Sequence, residues 1–406
     1  MMNSAATQLR ARASAIPSLT RLIEADADLL SAQLQQLRAR AFPPTAEKQL
    51  RKFMAGEAAK LIGISDAYLR LLNSEGNIPE AEKNGAGRRL YSLEQIHEIR
   101  RYLDSNKKGY SPVRSDSEAL QVIAVTNFKG GSGKTTTAAH LAQYFALRGY
   151  RTLAVDLDPQ ASLSALFGLQ PEFDLGPNET IYGAIRYDDQ QRPLGDIIRK
   201  TYFSGLDIVP GNLELQDFEY DTPRILSERT RDRERMFFTR IATALATVGQ
   251  NYDVVILDCP PSLGYLTLSA LCAARSVVVT IHPQMLDVAS MSQFLHMTAG
   301  LFDVVEQAGG NAEYDFFRYV VTRYEPADGP QGQIVGLLKS LFGDRVLTNA
   351  VLKSAAISDA GITKQTLYEV GRENFHRVTY DRAMESLDSV NGEIENLVKQ
   401  AWGRTA

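Results

Sequence analysis

Cysteine is nearly missing from this chain: Cys259 and Cys272 are the only two in 406 residues. Both stand in apolar surroundings, which suits a reducing compartment and excludes a disulfide framework or a thiolate-held metal. Histidine is scarce too. The five residues at 97, 140, 282, 296 and 376 form no HxxxH or HExxH spacing, so no zinc site is expected. No uninterrupted apolar run approaches the ~20 residues that cross a bilayer. The Arg- and Ala-containing start is soon followed by Glu24, Asp26 and Asp28 with no apolar core, which argues against a transit peptide. A cytoplasmic protein is the expectation.

What is present is enough apolar residue, 44%, for two or three domains with a sizeable core. The formal charge of −4 is unevenly shared. Residues 1–110 carry 17 Lys/Arg against 12 Asp/Glu, and the remainder 27 against 36. A basic first third on an acidic protein points to a polyanion partner there.

Residues 18–40 read as one helix, capped by Ser18, with Leu19, Leu22, Ile23, Leu30, Leu34 and Leu37 at helical spacing. Ile23, Leu30 and Leu37 recur every seven residues, a seam open either to self-pairing or to packing on its own domain. Pro43-Pro44 ends this arm, assigned to residues 1–45.

Residues 46–108 form the next unit. GEAAKLIGISDAYLRLLNSEG gives two short helices around Gly63, with Ser65 as N-cap of the second. NIPEAEKNGAGRRLYS reads as a strand-turn-strand tip carrying Lys83, Arg88 and Arg89, and LEQIHEIRRYLDSN as a further helix. The set resembles a MerR-type winged helix-turn-helix, which implies DNA contacts from Ser65, Tyr68 and Arg70 on the second helix and Arg88 and Arg89 on the wing. Residues 109–120 are a polar, Gly/Pro-broken linker.

From 121 to 406 short apolar runs alternate with helical patterns: VIAVT, TLAVD, LDIVP, DVVILD, SVVVTI and RYVVT. This predicts an α/β fold with a doubly wound, mainly parallel sheet. NFKGGSGKTT, residues 127–136, follows the first run. Its glycines let the backbone aim N–H groups at phosphate oxygens, and the helix that follows adds partial positive charge. Lys134 is expected on the β- and γ-phosphates of ATP and the Thr135 hydroxyl on Mg²⁺.

The usual G-x-x-x-x-G-K-[ST] pattern demands glycine at 128, where this chain has Phe128. KGGSGKTT instead is similar to the deviant phosphate loop of the ParA/MinD superfamily of P-loop ATPases. The resemblance implies that Lys129 crosses a homodimer interface to the partner subunit's phosphates. Gly130, Gly131, Ser132, Gly133, Lys134, Thr135 and Thr136 then cradle each subunit's own nucleotide. In DLDPQ it assigns Asp158 to the attacking water and Asp156 to the Mg²⁺ shell. In LDCPPS, Asp258 resembles the Walker B carboxylate. Thr322 and Arg323 are candidates for adenine contact, with a solvated-loop reading equally open.

Two branches of the superfamily are set aside. A nitrogenase-type reductase needs cluster-ligating cysteines unlike Cys259 and Cys272. A MinD-type membrane helix needs a basic polar face, whereas residues 382–402 carry Glu385, Asp388, Glu393 and Glu395. That helix is expected to pack on the ATPase domain or its twin. The C-terminal run beginning VLKSAAISDAGITKQTLYEV resembles the RepA partition ATPases of repABC plasmid replicons. The resemblance implies weak, partner-stimulated ATP hydrolysis, non-specific DNA binding with Lys353 as first candidate and Lys364 and Arg372 behind it, autorepression through the winged unit, a ParB-like centromere-binding partner (RepB), and association with the nucleoid. The alternatives are an ATP-responsive repressor without motor activity and a MinD-like positioning ATPase for another cargo.

Overall fold

In the computed structural model, residues 18–41, 48–106, 109–227, 236–310 and 313–405 are described. Two units emerge, Met1–Lys48 and Gln49–Ala406. Among the described residues of the first, a 23-residue helix spans Leu19–Ala41. Its Leu19, Leu22, Ile23, Leu29 and Leu30 side chains are all exposed. The side chains of Leu34 and Leu37, and Pro43-Pro44, lie outside the described residues.

The second unit starts with a three-stranded antiparallel sheet and three helices. Strand β1 (Phe53–Met54) and strand β2 (Glu82–Lys83) flank strand β3 (Arg89–Tyr91). Helices Ala55–Ile62 and Asp66–Ser74 are joined through Gly63 at φ +86°, a left-handed turn that L side chains resist. The Ser65 hydroxyl accepts the Tyr68 N–H and starts the second helix. Phe53, Leu69, Tyr91, Ile96 and Ile99 close the core of this part.

The larger sheet has seven strands in the order β10-β9-β4-β8-β5-β7-β6. These are β4 (Gln121–Thr126), β5 (Thr152–Asp156), β6 (Arg199–Lys200), β7 (Leu206–Val209), β8 (Val254–Asp258), β9 (Ser276–Ile281) and β10 (Phe316–Val321). All pair in parallel except β6, which runs antiparallel to β7 at the edge. Strands β4, β5, β7, β8 and β9 are buried throughout, as continuous apolar runs covered on both faces require. The six apolar runs all become strands; the polar pair Arg199–Lys200 has no periodicity to announce it.

The C-terminal helix, Arg377–Ala401, packs on the ATPase body through Leu387, Val390, Ile394 and Val398. Its acidic face is partly internal: Glu395 is buried, accepting from the Tyr144 and Tyr150 hydroxyls and pairing with Arg148 and Lys399. Among the described residues no helix is long and apolar enough to cross a membrane.

The segment read as a linker is tied down. Arg114 donates to the carbonyls of Tyr252, Gly249 and Glu118. Arg404 pairs with Glu118, and the Trp402 indole N–H donates to Ala119 O at 2.8 Å.

Candidate nucleotide site and DNA-reading surface

The phosphate loop runs from the end of β4 to helix Lys134–Arg148, at the carboxyl edge of the sheet where crossovers leave a crevice. Gly131 and Gly133 take φ of +76° and +88°, turning the chain back on itself. A Cβ on Gly133 would touch Thr322 at 3.5 Å.

Neighbouring strand ends brace this loop. The Thr322 hydroxyl donates to Ser132 O at 2.7 Å, and Arg323, itself left-handed at φ +53°, donates to Gly131 O at 3.0 Å. The Ser132 and Thr280 hydroxyls lie 2.9 Å apart, and the Asn127 amide bonds to Thr280 O. Thr322 and Arg323 thus have a role the sequence did not disclose: they fix the loop backbone. At the far side, buried His140 spans Thr136 O and the Leu367 N–H, joining the first helical turn to segment 366–370.

Lys134 is buried and its amine donates to Lys129 O at 3.0 Å, folding across the mouth of the loop. Burial pushes its pKa down, while Asp258 and Asp158 oppose that shift. Lys129 turns the other way, onto Asp287 of the same chain.

Three carboxylates face the loop from β5 and β8. Asp156 and Asp258 are register partners on adjacent strands and both are fully buried. Asp156 accepts from the Ser164 N–H and hydroxyl at 2.8 and 2.7 Å and from the Asp158 N–H at 3.2 Å. Burial still raises its pKa to about 6. No donor meets full hydrogen-bond geometry with either Asp258 oxygen, although the Thr135 hydroxyl is close enough to oppose the shift; the Asp258 pKa is pushed well up, first by burial and then by the Asp156 charge. Two orphaned buried carboxylate oxygens beside Thr135 are a poor arrangement for an empty protein and a good one for a hard divalent cation. Among the described residues no three His, Cys, Asp or Glu side chains form a self-sufficient metal cage.

The loop and Asp158 line a cavity of about 520 Å³, with Gly130, Gly131, Gly133, Lys134, Thr135 and Thr136 in its wall, while Asp156 and Asp258 stay buried outside its lining. Lys353 lines it too, paired with Glu325 at 2.8 Å. The basic residue expected on DNA therefore stands at the rim of the nucleotide cavity. Ser132 is buried behind it.

On the winged part, Tyr68 and Arg70 are exposed on the second helix, with Arg70 paired to Asp66 one turn back. Arg88 is exposed and Arg89 half-buried at the tip between β2 and β3, where Gly87 takes φ +74°. The opposite side of this part sits on the ATPase body. Buried Arg100 donates to the carbonyls of Leu61, Tyr110, Leu147 and Arg148, and the His97 ring bonds to Ala146 O at 2.9 Å. Those last carbonyls end the very helix that begins at the phosphate loop. Nothing in HEIRRYLD distinguishes Arg100 from the surface arginine next to it except its position in the helical period.

Comparison with known proteins adds to this geometry. A family model described as an AAA domain matches residues 120–307, and one described as a MerR HTH family regulatory protein matches residues 53–112. A Rhizobium rhizogenes protein carrying the name replication protein A is 56% identical over 395 residues, covering 97% of this chain and 98% of its own. The chromosome partitioning protein ParA of Myxococcus xanthus is 31% identical over 239 residues, covering 59% of this chain and 77% of its own. Among solved structures, a cobyrinic acid a,c-diamide synthase from Mycobacterium smegmatis with bound ADP and magnesium aligns with a TM-score of 0.50. It is 25% identical over 60% of this chain and 94% of its own.

Proposed function

This chain belongs to the ParA-type ATPases, in the line of the plasmid replication protein A, and we propose that it is the partition ATPase and autorepressor of a low-copy plasmid replicon. The observation that carries the proposal is one phosphate loop with two lysines in divergent roles. Lys134 is folded over its own cavity, while Lys129 is directed away from it. A loop for a solitary ATPase needs only the first.

Each residue then has a task. The N–H groups from Gly130 to Thr136 and the Lys134 amine hold the phosphates of ATP. Asp158, at the cavity wall, orients the attacking water through a carboxylate whose backbone is fixed by Asp156. Thr135 and Asp258 hold Mg²⁺, with Asp156 behind them, and that ion supplies charge neutralisation at the β- and γ-phosphates. Lys129 donates its amine to the phosphates of a second copy. Two like-charged loops approach only with a polyanion between them, since two unit charges at 4 Å repel by about 4 kcal/mol at an effective dielectric of 20.

The face-to-face dimer binds bulk DNA through phosphate contacts, with Lys353 first among them and Lys364 and Arg372 in support, so binding weakens steeply with salt. A ParB-like centromere-binding protein stimulates hydrolysis, the dimer opens and DNA is released. Tyr68, Arg70, Arg88 and Arg89, with Ser65 at the helix start, read the operator.

The test is binding to bulk DNA and to the DNA upstream of its own operon with no nucleotide, with ADP and with ATP, alongside ATP turnover with and without the partner. Two different nucleotide preferences and partner-raised turnover are expected. Operator binding alone, with turnover that no partner raises, would leave a repressor without a motor.

A further inference from the structure

We propose that Asp287 is a positioning residue that holds the Lys129 amine inside its own chain until a second ATP-loaded copy presents its phosphates. The inference rests on the in-trans reading of Lys129 given above and adds what that reading lacks, a resting place for the amine.

Asp287 lies in the first turn of helix Met285–Gln307, where a carboxylate is favoured by the helix dipole. One oxygen takes the Lys129 amine and the other stands 3.4 Å from His282 Nδ1. Asp287 keeps only 9% of its side-chain exposure, whereas Lys129 keeps 40%. The anion is therefore fixed in the body and the cation is the part free to leave.

The preceding residue is held by the same helix. Phe128, standing where the usual loop has glycine, stacks on Phe294 with ring centroids 5.2 Å apart. Asp287 and Phe294 are two turns apart, so one helix face grips both residues 128 and 129. The Lys129 N–H is separately fixed by Asn127 Oδ1 at 3.1 Å. Only the lysine side chain has to swing; the loop that cradles the chain's own phosphates stays in place.

The exchange has a cost on the Asp287 side, because burial and the neighbouring cations lower the pKa of His282 and disfavour its charged form. Leaving Asp287 strands a nearly buried carboxylate, a costly state unless another cation faces it. His282 remains beside it, and Arg323, Lys353 and Glu325 are the other charged groups close enough to act on that histidine. The triphosphate of a second copy, with several negative charges, outcompetes a single carboxylate for the amine; a diphosphate competes less well. Met285 and Leu286, next to Asp287, are exposed apolar side chains that an approaching copy covers. Asp287 thus sets the threshold at which ATP, but not ADP, pairs two chains.

The experiment is sedimentation velocity of the full chain with Mg²⁺ and ATP or ADP, comparing wild type, Asp287→Asn, Lys129→Ala and the double variant. Asp287→Asn is expected to dimerise with ATP at roughly tenfold lower protein concentration, about 1.4 kcal/mol, and to begin dimerising with ADP. The gain should be absent where Lys129→Ala blocks the dimer, and it should come with unchanged ATP affinity of the monomer and an unchanged thermal midpoint, two readouts that a merely structural role would move. If Asp287→Asn misfolds by thermal melt, Asp287→Ala takes its place under the same criteria. Unchanged or weaker dimerisation of the Asp287 variants, with Lys129→Ala still blocking the dimer, overturns the latch and leaves the in-trans reading intact. A gain that persists without Lys129 overturns it as well. Normal dimerisation of Lys129→Ala removes the in-trans reading and the latch together.

Discussion

Replacing Arg100 by methionine tests whether the winged part is seated on the ATPase body or merely tethered to it. Four carbonyls lose their donor: Leu61 O, Tyr110 O, Leu147 O and Arg148 O. Hydrogen bonds to a charged donor contribute about 1.5–3 kcal/mol each, so the gross loss is on the order of 6–12 kcal/mol. Against it stands relief from burying a guanidinium that is only 4% exposed. Burial lowers the Arg100 pKa from 12.5 to about 10, so it stays charged at neutral pH. At about 1.4 kcal/mol per pH unit, that shift returns roughly 3 kcal/mol. Methionine keeps much of the apolar stem. A net destabilisation of about 3–9 kcal/mol follows, since four buried carbonyls are left without their donor. The neighbouring Arg101 is 69% exposed with a 4.0 Å partner, so Arg101→Met should stay within about 0.5 kcal/mol. Urea unfolding followed by fluorescence of Trp402, the one tryptophan, reads both, since its indole bonds to Ala119 O close to the seam. An Arg100→Met midpoint within about 1 kcal/mol of wild type would refute the reasoning.

Three further outcomes are expected. Asp258→Asn should raise the melting temperature of the nucleotide-free chain, by on the order of 1–3 kcal/mol in stability, while calorimetry finds Mg²⁺-dependent ATP binding lost. Asp156, raised from 3.8 to about 6, binds its proton more tightly when folded, so the nucleotide-free chain loses stability as pH rises through that window. Scanning calorimetry should show it more stable at pH 5 than at pH 7.5 by about 1.4 kcal/mol from Asp156, with Asp258, whose pKa is also raised, adding in the same direction; the difference should shrink in Asp156→Asn and disappear only when Asp258→Asn is added. Glu118 behaves oppositely: paired with Arg404 its pKa falls to about 2, so its contribution survives until far lower pH and does not obscure the test. Finally, Asp158→Ala should give an ATP dimer that persists on bulk DNA, seen as slow dissociation by surface plasmon resonance; release as fast as wild type would contradict the role of Asp158.

Much of this molecule is legible along the chain because the determining interactions are local or periodic. Buried parallel strands must be continuously apolar, which is why SVVVTI and TLAVD declare themselves. A phosphate loop needs glycines at fixed places, which is why GGSGKT does. The helix-turn-helix shows through Gly63 and Ser65, each required by a backbone geometry. What escapes notice is long-range and polar. Asp287 meets Lys129 only because β9 lies beside β4, and no spacing encodes that. Thr322 and Arg323 hold the loop backbone because β10 ends next to β9. Arg100 and Arg101 are alike in type, and only the docking of a helix face separates buried from exposed. Glu395 counted as part of an acidic exterior and is instead the acceptor for two internal tyrosines.

The helix Lys134–Arg148 has consequences for modularity. At about 1.5 Å per residue its 15 residues form a rod of roughly 22 Å, with ATP chemistry at one tip and the winged part bolted to the other. Both ends are parts of one packed body, so the winged part is not an independent cassette. A graft without the arginine and histidine that grip residues 146–148 should lose its seat on the ATPase body, seen as a lower urea midpoint.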